Sequence, residues 1–507
     1  MSLIAESNKA LGSTAVVVVC SLLIAAPWFW PFLRGPLSAM WPDLFAWTVG
    51  ALLMVLLPWT RERAALTIAS GWLLAALGSA LLGLLQYFDL ENGLYPWVVA
   101  TAPGYVTANV HQLNMLATLL SVGLLCVWWL LIKRYLAAIH VVWMSALLLV
   151  ALAATASRTG MVHLAAISCM LVYWHPRQWR RLLLILGVGW SLYSIAANGL
   201  PWVAWVTRGI VIDRNLFGRF GEGVTCHSRR ILWSNMIDLI VLKPWMGWGP
   251  GGLPYAQYIT EFDGDRFCEK LSHAHNLPLQ VAVTMGMPAA MIVGLLFLFA
   301  FFRLKPWTAT HPMERLCWGV LALLGVHSLL EYPLWFGVFQ LMALLAAWQI
   351  YRSRRDGVHA SEPRVCPAQS TRGCVAMSAF LLAGLSFVAW DYLKVSQLYL
   401  PTDMRLDRYR EDTFNKSRDT VLFNSHVLIA QIVVMDLTPA NANLILEGAL
   451  ASLHIAPDSR IIRRVIESAA LLGKQELVQL HMARYKAAWP KEYEEWLELQ
   501  KASSAAR

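Results

Sequence analysis

Leu113-Asn114-Met115-Leu116-Ala117-Thr118-Leu119-Leu120-Ser121-Val122-Gly123-Leu124-Leu125-Cys126-Val127-Trp128-Trp129-Leu130-Leu131-Ile132 is the apolar centre of a run, residues 108–132, that holds no Asp, Glu, Lys or Arg. A helix of this length spans about 30 Å, the thickness of a bilayer's hydrocarbon. Working outward, similarly apolar runs lie at 14–33, 44–59, 64–88, 136–156, 159–175, 182–205, 276–302, 316–332, 334–351 and 374–394, with charge only at Glu331, Asp391 and Lys394 near the ends of two of them. The chain of 507 residues is 58% apolar and only 14% charged, against roughly 25% charge in soluble proteins. A soluble enzyme and a disordered scaffold are thereby excluded. The expectation is an all-α polytopic membrane protein with about eleven crossings.

Charge gives the orientation. The net charge is +10, yet residues 395–507 carry 14 basic and 14 acidic groups, so the whole excess lies in residues 1–394. There it is divided among alternate short loops: Arg61 and Arg63; Lys133 and Arg134; Arg177, Arg180 and Arg181; Arg303, Lys305 and Arg315; Arg352, Arg354 and Arg355. The positive-inside rule places these in the cytoplasm. The opposite set is nearly free of Lys and Arg where short, with Arg34 alone in the first and none in 89–107. This predicts a cytoplasmic N-terminus and, after eleven spans, a C-terminus outside. A nucleic-acid partner is not expected, because such proteins gather their charge on one soluble face. The first run lacks a nearby small-residue cleavage site and is flanked by Trp28, Trp30 and Trp41, so a retained helix is expected. Gly71, Gly78 and Gly83 suggest close helix packing.

Two outward segments are long. Residues 206–275 form a Gly-rich polar loop with Arg208, Arg214, Arg219, Arg229, Arg230, Lys243, Arg266 and Lys270. Residues 395–507 follow the membrane domain, 1–394, and show helical periodicity over 421–437, 440–453, 459–472 and 475–488, separated by Pro439, Pro457 and Gly473. That spacing suggests a small domain of paired helices, loosely of TPR type. Among the eight cysteines, Cys226 and Cys268 alone share the outer loop, whereas Cys366 falls in an inward one. In an oxidising compartment that pair can close a loop of about forty residues, worth about 4 kcal/mol; two free thiols are the alternative.

The polar residues on the outer side converge. Arg158 stands in Ser157-Arg158-Thr159-Gly160, and Arg229 and Arg230 open a segment running through Trp233 to Lys243-Pro244-Trp245-Met246-Gly247-Trp248-Gly249. His273-Ala274-His275-Asn276 precedes the eighth span, and His327 and Glu331 end the ninth before Tyr332-Pro333. Outside an inner membrane there is no ATP, so group transfer needs a donor activated beforehand. A glycan on a lipid pyrophosphate is such a donor, and its leaving group gains charge as the glycosidic bond breaks. Arginines stay charged and grip phosphate oxygens in pairs. A neutral histidine suits the removal of a hydroxyl proton near pH 7. Bland readings stand beside these: Arg158 as a snorkelling helix end, Arg229 and Arg230 as a solvated face, His327 as an interhelical hydrogen-bonding group, His140 and His163 as packing residues. The His273/His275 spacing is poor for a metal, so neither metal nor cofactor is expected.

At these residues the chain resembles the O-antigen ligase/polymerase superfamily, and within it the PglL-type bacterial protein O-oligosaccharyltransferases, including pilin glycosyltransferases. The resemblance rests on Asn109…Gln112-Leu113-Asn114…Ala117-Thr118, Ser157-Arg158-Thr159-Gly160, Arg229…Trp233…Pro244…Gly247-Trp248-Gly249, His273-Ala274-His275-Asn276 and His327…Glu331-Tyr332-Pro333-Leu334, over most of residues 100–350. An outer helical tail with Trp489-Pro490 also fits this branch. The resemblance implies a GT-C-type membrane fold in a bacterial inner membrane. It also implies an undecaprenyl-pyrophosphate-linked glycan as donor, and transfer to Ser or Thr hydroxyls of a periplasmic acceptor such as a pilin, without metal. Carried over by residue, His327 becomes the base with Glu331 beside it. Arg158 and Arg229, with Arg230 as rival, become pyrophosphate binders. Gln112, Asn114, His275 and Asn276 become further donor-site candidates. Where the family often has Gln-Pro-Asn, this chain has Gln112-Leu113-Asn114. The rival readings are a ligase or polymerase with a saccharide acceptor and, from another class, a lipid-linked-glycan flippase. The latter predicts internal repeats and mid-membrane charges that the sequence lacks.

Overall fold

The computed structural model describes residues 2–212, 226–358 and 368–505; Arg214, Arg219 and Cys366 fall outside them. The described residues are helical, with no strand among them. In chain order the helices are α1 (Ser2–Ala25), α2 (Met40–Leu56), α3 (Ala64–Tyr87), α4 (Leu113–Ile132), α5 (Ala138–Ala154), α6 (Arg158–Trp174), α7 (Trp179–Arg208), α8 (Arg229–Leu242), α9 (Leu253–Ile259), α10 (Leu277–Met285) and α11 (Met287–Leu304). There follow α12 (Pro312–Ser328), α13 (Gly337–Val358), α14 (Ala368–Ser396), α15 (Asp407–Arg410), α16 (Thr413–Ser417), α17 (Asn424–Val434), α18 (Ala442–Leu453), α19 (Ser459–Leu471), α20 (Gln475–Ala488) and α21 (Pro490–Ala505). Six segments of the described residues are long and apolar enough to cross a membrane: Met40–Thr60, Ala64–Tyr87, Leu113–Ile132, Pro176–Arg208, Met287–Thr308 and Arg372–Tyr399. This is a polytopic membrane protein. The other expected spans are also helical, but α5, α6 and α12 have only 17 residues each.

Contacts divide the chain into two units: residues 1–33, 39–222 and 304–386 in the first, and 34–38, 223–303 and 387–507 in the second. Residues 223–303, which hold part of the long loop and the eighth expected span, thus fall in the same unit as the tail.

In the first unit α4 is the central post. Leu116, Leu119, Leu120, Val122 and Leu125 are all fully buried, and α4 packs against α3, α5, α6 and α12. An apolar side chain buried all round a helix marks the interior of a bundle. Gly71 faces Ile24, and a Cβ there would sit 2.7 Å from the Ile24 Cβ, so α1 and α3 approach closely. Two of the basic residues used to orient the chain also cap helix ends. Arg315 donates from Nη1 to Trp174 O, at the carbonyl end of α6, over 3.0 Å. Arg354 pairs with Glu314 at 2.6 Å.

The loop 88–112 is tied down from within. Gln86 Oε1 accepts from Thr107 N at 2.9 Å and Ala108 N at 2.6 Å, while its Nε2 donates to Val99 O at 2.8 Å and Ala108 O at 3.1 Å. Asn109 donates to Phe29 O and Trp97 O, each at 2.8 Å, and accepts from Val99 N at 3.1 Å. These two amides satisfy backbone groups that an irregular loop beside a membrane domain would otherwise leave buried and unpaired.

In the second unit the expected span 276–302 is broken. The break falls at Gly286, between α10 and α11, because the Pro244–Gly249 turn crosses there. Trp248 N donates to Val283 O and Gly249 N to Thr284 O, both at 2.9 Å, and Met287 N donates to Pro244 O at 2.7 Å. A Cβ on Gly247 would lie 2.5 Å from the Thr284 carbonyl carbon, and one on Gly286 would lie 2.1 Å from Trp245 O. Both glycines also have positive φ, +65° and +86°. The Gly-rich segment is thus a backbone crossing, and the sequence pattern showed only its apolar continuity. In the tail, α17 to α20 fall on the four periodic stretches, each packing on the next, and α21 adds a helix after Trp489. Short α9 of the outer loop packs on α20: Tyr258 hydrogen-bonds His481 at 2.7 Å and stacks on Trp489 with centroids 5.7 Å apart. Lys270 pairs with Glu492 at 3.1 Å.

Gln86→Leu keeps the bulk but strands four buried backbone groups, each worth about 1–3 kcal/mol. It is expected to destabilise the protein by about 3 kcal/mol or more. Thermal unfolding in detergent measures this, and an unchanged midpoint would contradict the role given to the amide.

Candidate active site

The first unit brings several of the singled-out residues together at the head of α4 and α6 and the tail of α12. Helix α12 ends at Ser328, four residues short of the expected boundary, with Leu329 as its C-cap. The chain keeps one hydrogen-bonded turn beyond, since Leu330 N and Glu331 N donate to His327 O at 2.9 Å and 2.8 Å. Glu331 is therefore held over His327 by a turn and not, as the i,i+4 spacing suggested, by continuing helix. Pro333 then starts a short 3₁₀ turn, Pro333–Trp335, and its ring disfavours helix at the preceding residue.

His327 is fully buried. Its Nδ1 lies 2.8 Å from Thr118 Oγ1 on α4. Its ring meets Phe339 and His163 edge-on, with centroids 6.1 Å and 6.0 Å away. Glu331, 5% exposed, accepts at Oε1 from Asn114 Nδ2 at 3.1 Å. Asn114 Oδ1 in turn accepts from Ser157 Oγ at 2.7 Å, and Ser157 Oγ accepts from Gly160 N at 3.0 Å, capping α6. A continuous chain of hydrogen bonds thus joins three helices at one end of the bundle. Every donor in it faces an acceptor, which fixes the Asn114 amide with its nitrogen toward Glu331.

Arg158 is the first residue of α6, directly after this cap, and is solvent-exposed. It stands at the positive end of a helix dipole, where anions are favoured. Gln112 is the N-cap of α4 in extended backbone, and its side chain makes no capping bond. Its buried Oε1 has no hydrogen-bond partner among the described residues.

The remaining candidates belong to the second unit. Arg229 and Arg230 open α8 after Ser228, whose Oγ accepts from Ile231 N at 3.4 Å; Arg229 is half-buried and Arg230 exposed. Asn276 caps α10, its Oδ1 accepting from Leu279 N at 3.1 Å. That oxygen already has a structural duty. His275 has a positive φ of 49°. Burial, and next the neighbouring His275, holds the His273 imidazole down to about 4. Cys226 and Cys268 are joined as a disulfide with Cα atoms 5.5 Å apart. With His227 they are the one group among the described residues spaced for a metal, but sulfurs bonded to each other offer no thiolate.

Three members of this site were not assigned to it from the sequence. Thr118 and Ser157 appeared only inside longer motifs, and His163 was read as packing. Their signal is a small polar or ionisable residue in an otherwise apolar helix, which needs a partner across the bundle. Which partner it finds is a tertiary fact.

Residues 143–294 match the O-antigen ligase family. Residues 315–503 match the C-terminal region of the virulence factor membrane-bound polymerases. The chain is also 28% identical over 291 residues to a general O-oligosaccharyltransferase of Acinetobacter baylyi, covering 55% of this chain and 50% of that protein. It is 26% identical over 238 residues to a ComP-specific O-oligosaccharyltransferase of the same organism, covering 46% and 42%. These matches make the chain similar to the O-antigen ligase superfamily and to O-oligosaccharyltransferases of the PglL type. It aligns with half or less of the length of these two relatives. The ligase match takes in Arg158, Arg229 and His275, and the polymerase match takes in His327 and Glu331.

A histidine held near 4 in the fold and near 6.5 when unfolded stays neutral in the fold at pH 5 to 8. Its contribution to stability is complete above about pH 6.5 and is lost as the pH falls toward 4, because the unfolded chain then binds the extra proton. A histidine NMR titration is expected to put the His273 midpoint near 4, and a midpoint near 6.5 would contradict its burial.

Proposed function

We propose that this protein is a protein O-oligosaccharyltransferase of the O-antigen ligase superfamily. It moves a preassembled glycan from undecaprenyl pyrophosphate to Ser or Thr hydroxyls of a periplasmic acceptor such as a pilin. The observation that carries the reading is the cluster at one end of the first unit: a fully buried imidazole with one nitrogen engaged by Thr118, a carboxylate in the next turn, and an arginine at a helix N-terminus. The relatives' activity supports it, as does the basic bias of alternate loops, which orients this end outward in a bacterial inner membrane. In that orientation the chain crosses about eleven times, with the N-terminus in the cytoplasm and the C-terminus in the periplasm.

In the reaction the acceptor hydroxyl gives its proton to Nε2 of His327 while its oxygen attacks the anomeric carbon. The bond from that carbon to the pyrophosphate oxygen breaks, and the lipid pyrophosphate leaves with the electron pair. Arg158 and the N-terminus of α6 stabilise the growing phosphate charge. Arg229, with Arg230 as its rival, is a further pyrophosphate binder in this reading. Glu331 balances the imidazolium, its geometry fixed by Asn114. Gln112, His275 and the Asn276 amide nitrogen contact the donor's sugar or phosphate oxygens. No step calls on a metal or cofactor. A second reading, a ligase or polymerase with a saccharide acceptor, shares the donor half of this scheme and has the two family descriptions in its favour.

Glycopeptide mass spectrometry of the periplasm with and without the gene separates the two readings. Glycan lost from proteins while lipopolysaccharide is unchanged supports the first, and the reverse supports the second. In reconstituted liposomes His327→Ala is expected to lower transfer by about 10²-fold or more while donor binding persists; substantial remaining turnover would remove His327 as the base. Arg229→Ala is expected to weaken donor use, with little recovery in Arg229→Lys if the grip is bidentate. Full activity in the lysine variant would contradict that grip.

A further inference from the structure

Thr118 Oγ1 touches two groups at once. It lies 2.8 Å from His327 Nδ1 and 3.0 Å from Asn114 O, one turn back on α4. Both Thr118 and His327 are fully buried, so no solvent competes for either contact. A hydroxyl has one hydrogen, and a carbonyl oxygen can only accept. Were that hydrogen turned toward Nδ1, the 3.0 Å contact with Asn114 O would set lone pair against lone pair. With the hydrogen on Asn114 O, the Thr118 oxygen is an acceptor and Nδ1 must carry its own hydrogen. That arrangement satisfies both contacts.

From this geometry we propose that Thr118 is a positioning residue that locks His327 in the Nδ1–H tautomer and so leaves the lone pair on Nε2. The proposal rests on the reading of His327 as the base and deepens it. A base must present its lone pair to the incoming hydroxyl, and a neutral imidazole with hydrogen on the wrong nitrogen cannot accept that proton there. When Nε2 takes the proton, the Nδ1–H bond to Thr118 persists and strengthens as the ring becomes cationic. Neither side chain has to move. Thr118 also makes its backbone-directed bond to the same residue, Asn114, whose side chain holds Glu331. One turn of α4 therefore sets both the tautomer of the base and the position of its carboxylate neighbour.

The test uses the full-length protein in liposomes with an undecaprenyl-pyrophosphate glycan and an acceptor protein, together with nitrogen-15 histidine NMR of the same protein in detergent. Wild-type His327 is expected to show the Nδ1–H pattern, with Nε2 unprotonated. Thr118→Val, which keeps the shape and removes the oxygen, is expected to lower kcat by about tenfold or more with donor KM little changed, and to lower the unfolding midpoint because the buried Nδ1–H loses its partner. Thr118→Ser is expected to recover most of the lost turnover and stability. A merely structural Thr118 predicts the loss of stability with kcat of the folded enzyme unchanged and no tautomer signature. An Nε2–H pattern in the wild type overturns the proposal, even if Thr118→Val fails to fold. Wild-type kcat in a folded Thr118→Val overturns it as well. If His327→Ala stays active, the reading of the base itself has failed; if that variant is dead while Thr118→Val is fully active, only the tautomer lock has failed.

Discussion

A buried polar group in an apolar bundle has to find a partner, and this requirement governs the arrangement of the first unit. Water is not available inside a membrane domain to repair a missing hydrogen bond, and each orphaned group costs several kcal/mol. Helix α4, apolar on nearly every face, offers Asn114 and Thr118 at its head. The groups that answer them, Ser157, Glu331 and His327, come from α6 and from the end of α12. Packing alone would allow these three helices to slide along one another. The hydrogen-bond chain specifies their mutual height, and with it the relation of the imidazole to its carboxylate neighbour.

The same requirement explains the irregular segments. The loop after α3 keeps its shape because two amides, Gln86 and Asn109, take up its inward-facing backbone groups. In the second unit the backbone satisfies itself, with the Pro244–Gly249 turn bonded across the Gly286 break. Side chains larger than hydrogen at Gly247 or Gly286 would collide with backbone, not with a flexible neighbour. The outer loop is fastened twice more, by its disulfide and by the Tyr258 contacts to His481 and Trp489.

Much of this was legible in the residues. Each apolar run falls on helix, because burial in lipid demands long apolar stretches whatever their partners, but the ends differ by up to a dozen residues and the run 276–302 is broken in two. Pro439, Pro457 and Gly473 marked the tail helices correctly, since a ring without an N–H and a left-handed glycine act locally; Gly473 has φ of 70°. What could not be read was long-range. Gly286 and Pro288 are helix-stop signals within an apolar run, but the turn that crosses the break lies forty residues earlier. The Asn276 oxygen caps α10 and the His163 ring packs edge-on against His327, and neither contact can be read from the local sequence. His327 and Glu331 are four residues apart, and although α12 ends at Ser328 a further turn preserves the i,i+4 backbone bond between them.

On the proposed reading, proton acceptance and phosphate stabilisation are concentrated at one end of a bundle, and that reading stands on the donor reaching that end. A structure of the protein with an undecaprenyl-pyrophosphate glycan bound tests this most directly. The account predicts phosphate oxygens within hydrogen-bonding distance of the Arg158 guanidinium and the anomeric carbon facing the His327 imidazole. Phosphates bound at the opposite end, beside Arg315 and Arg354, would contradict it.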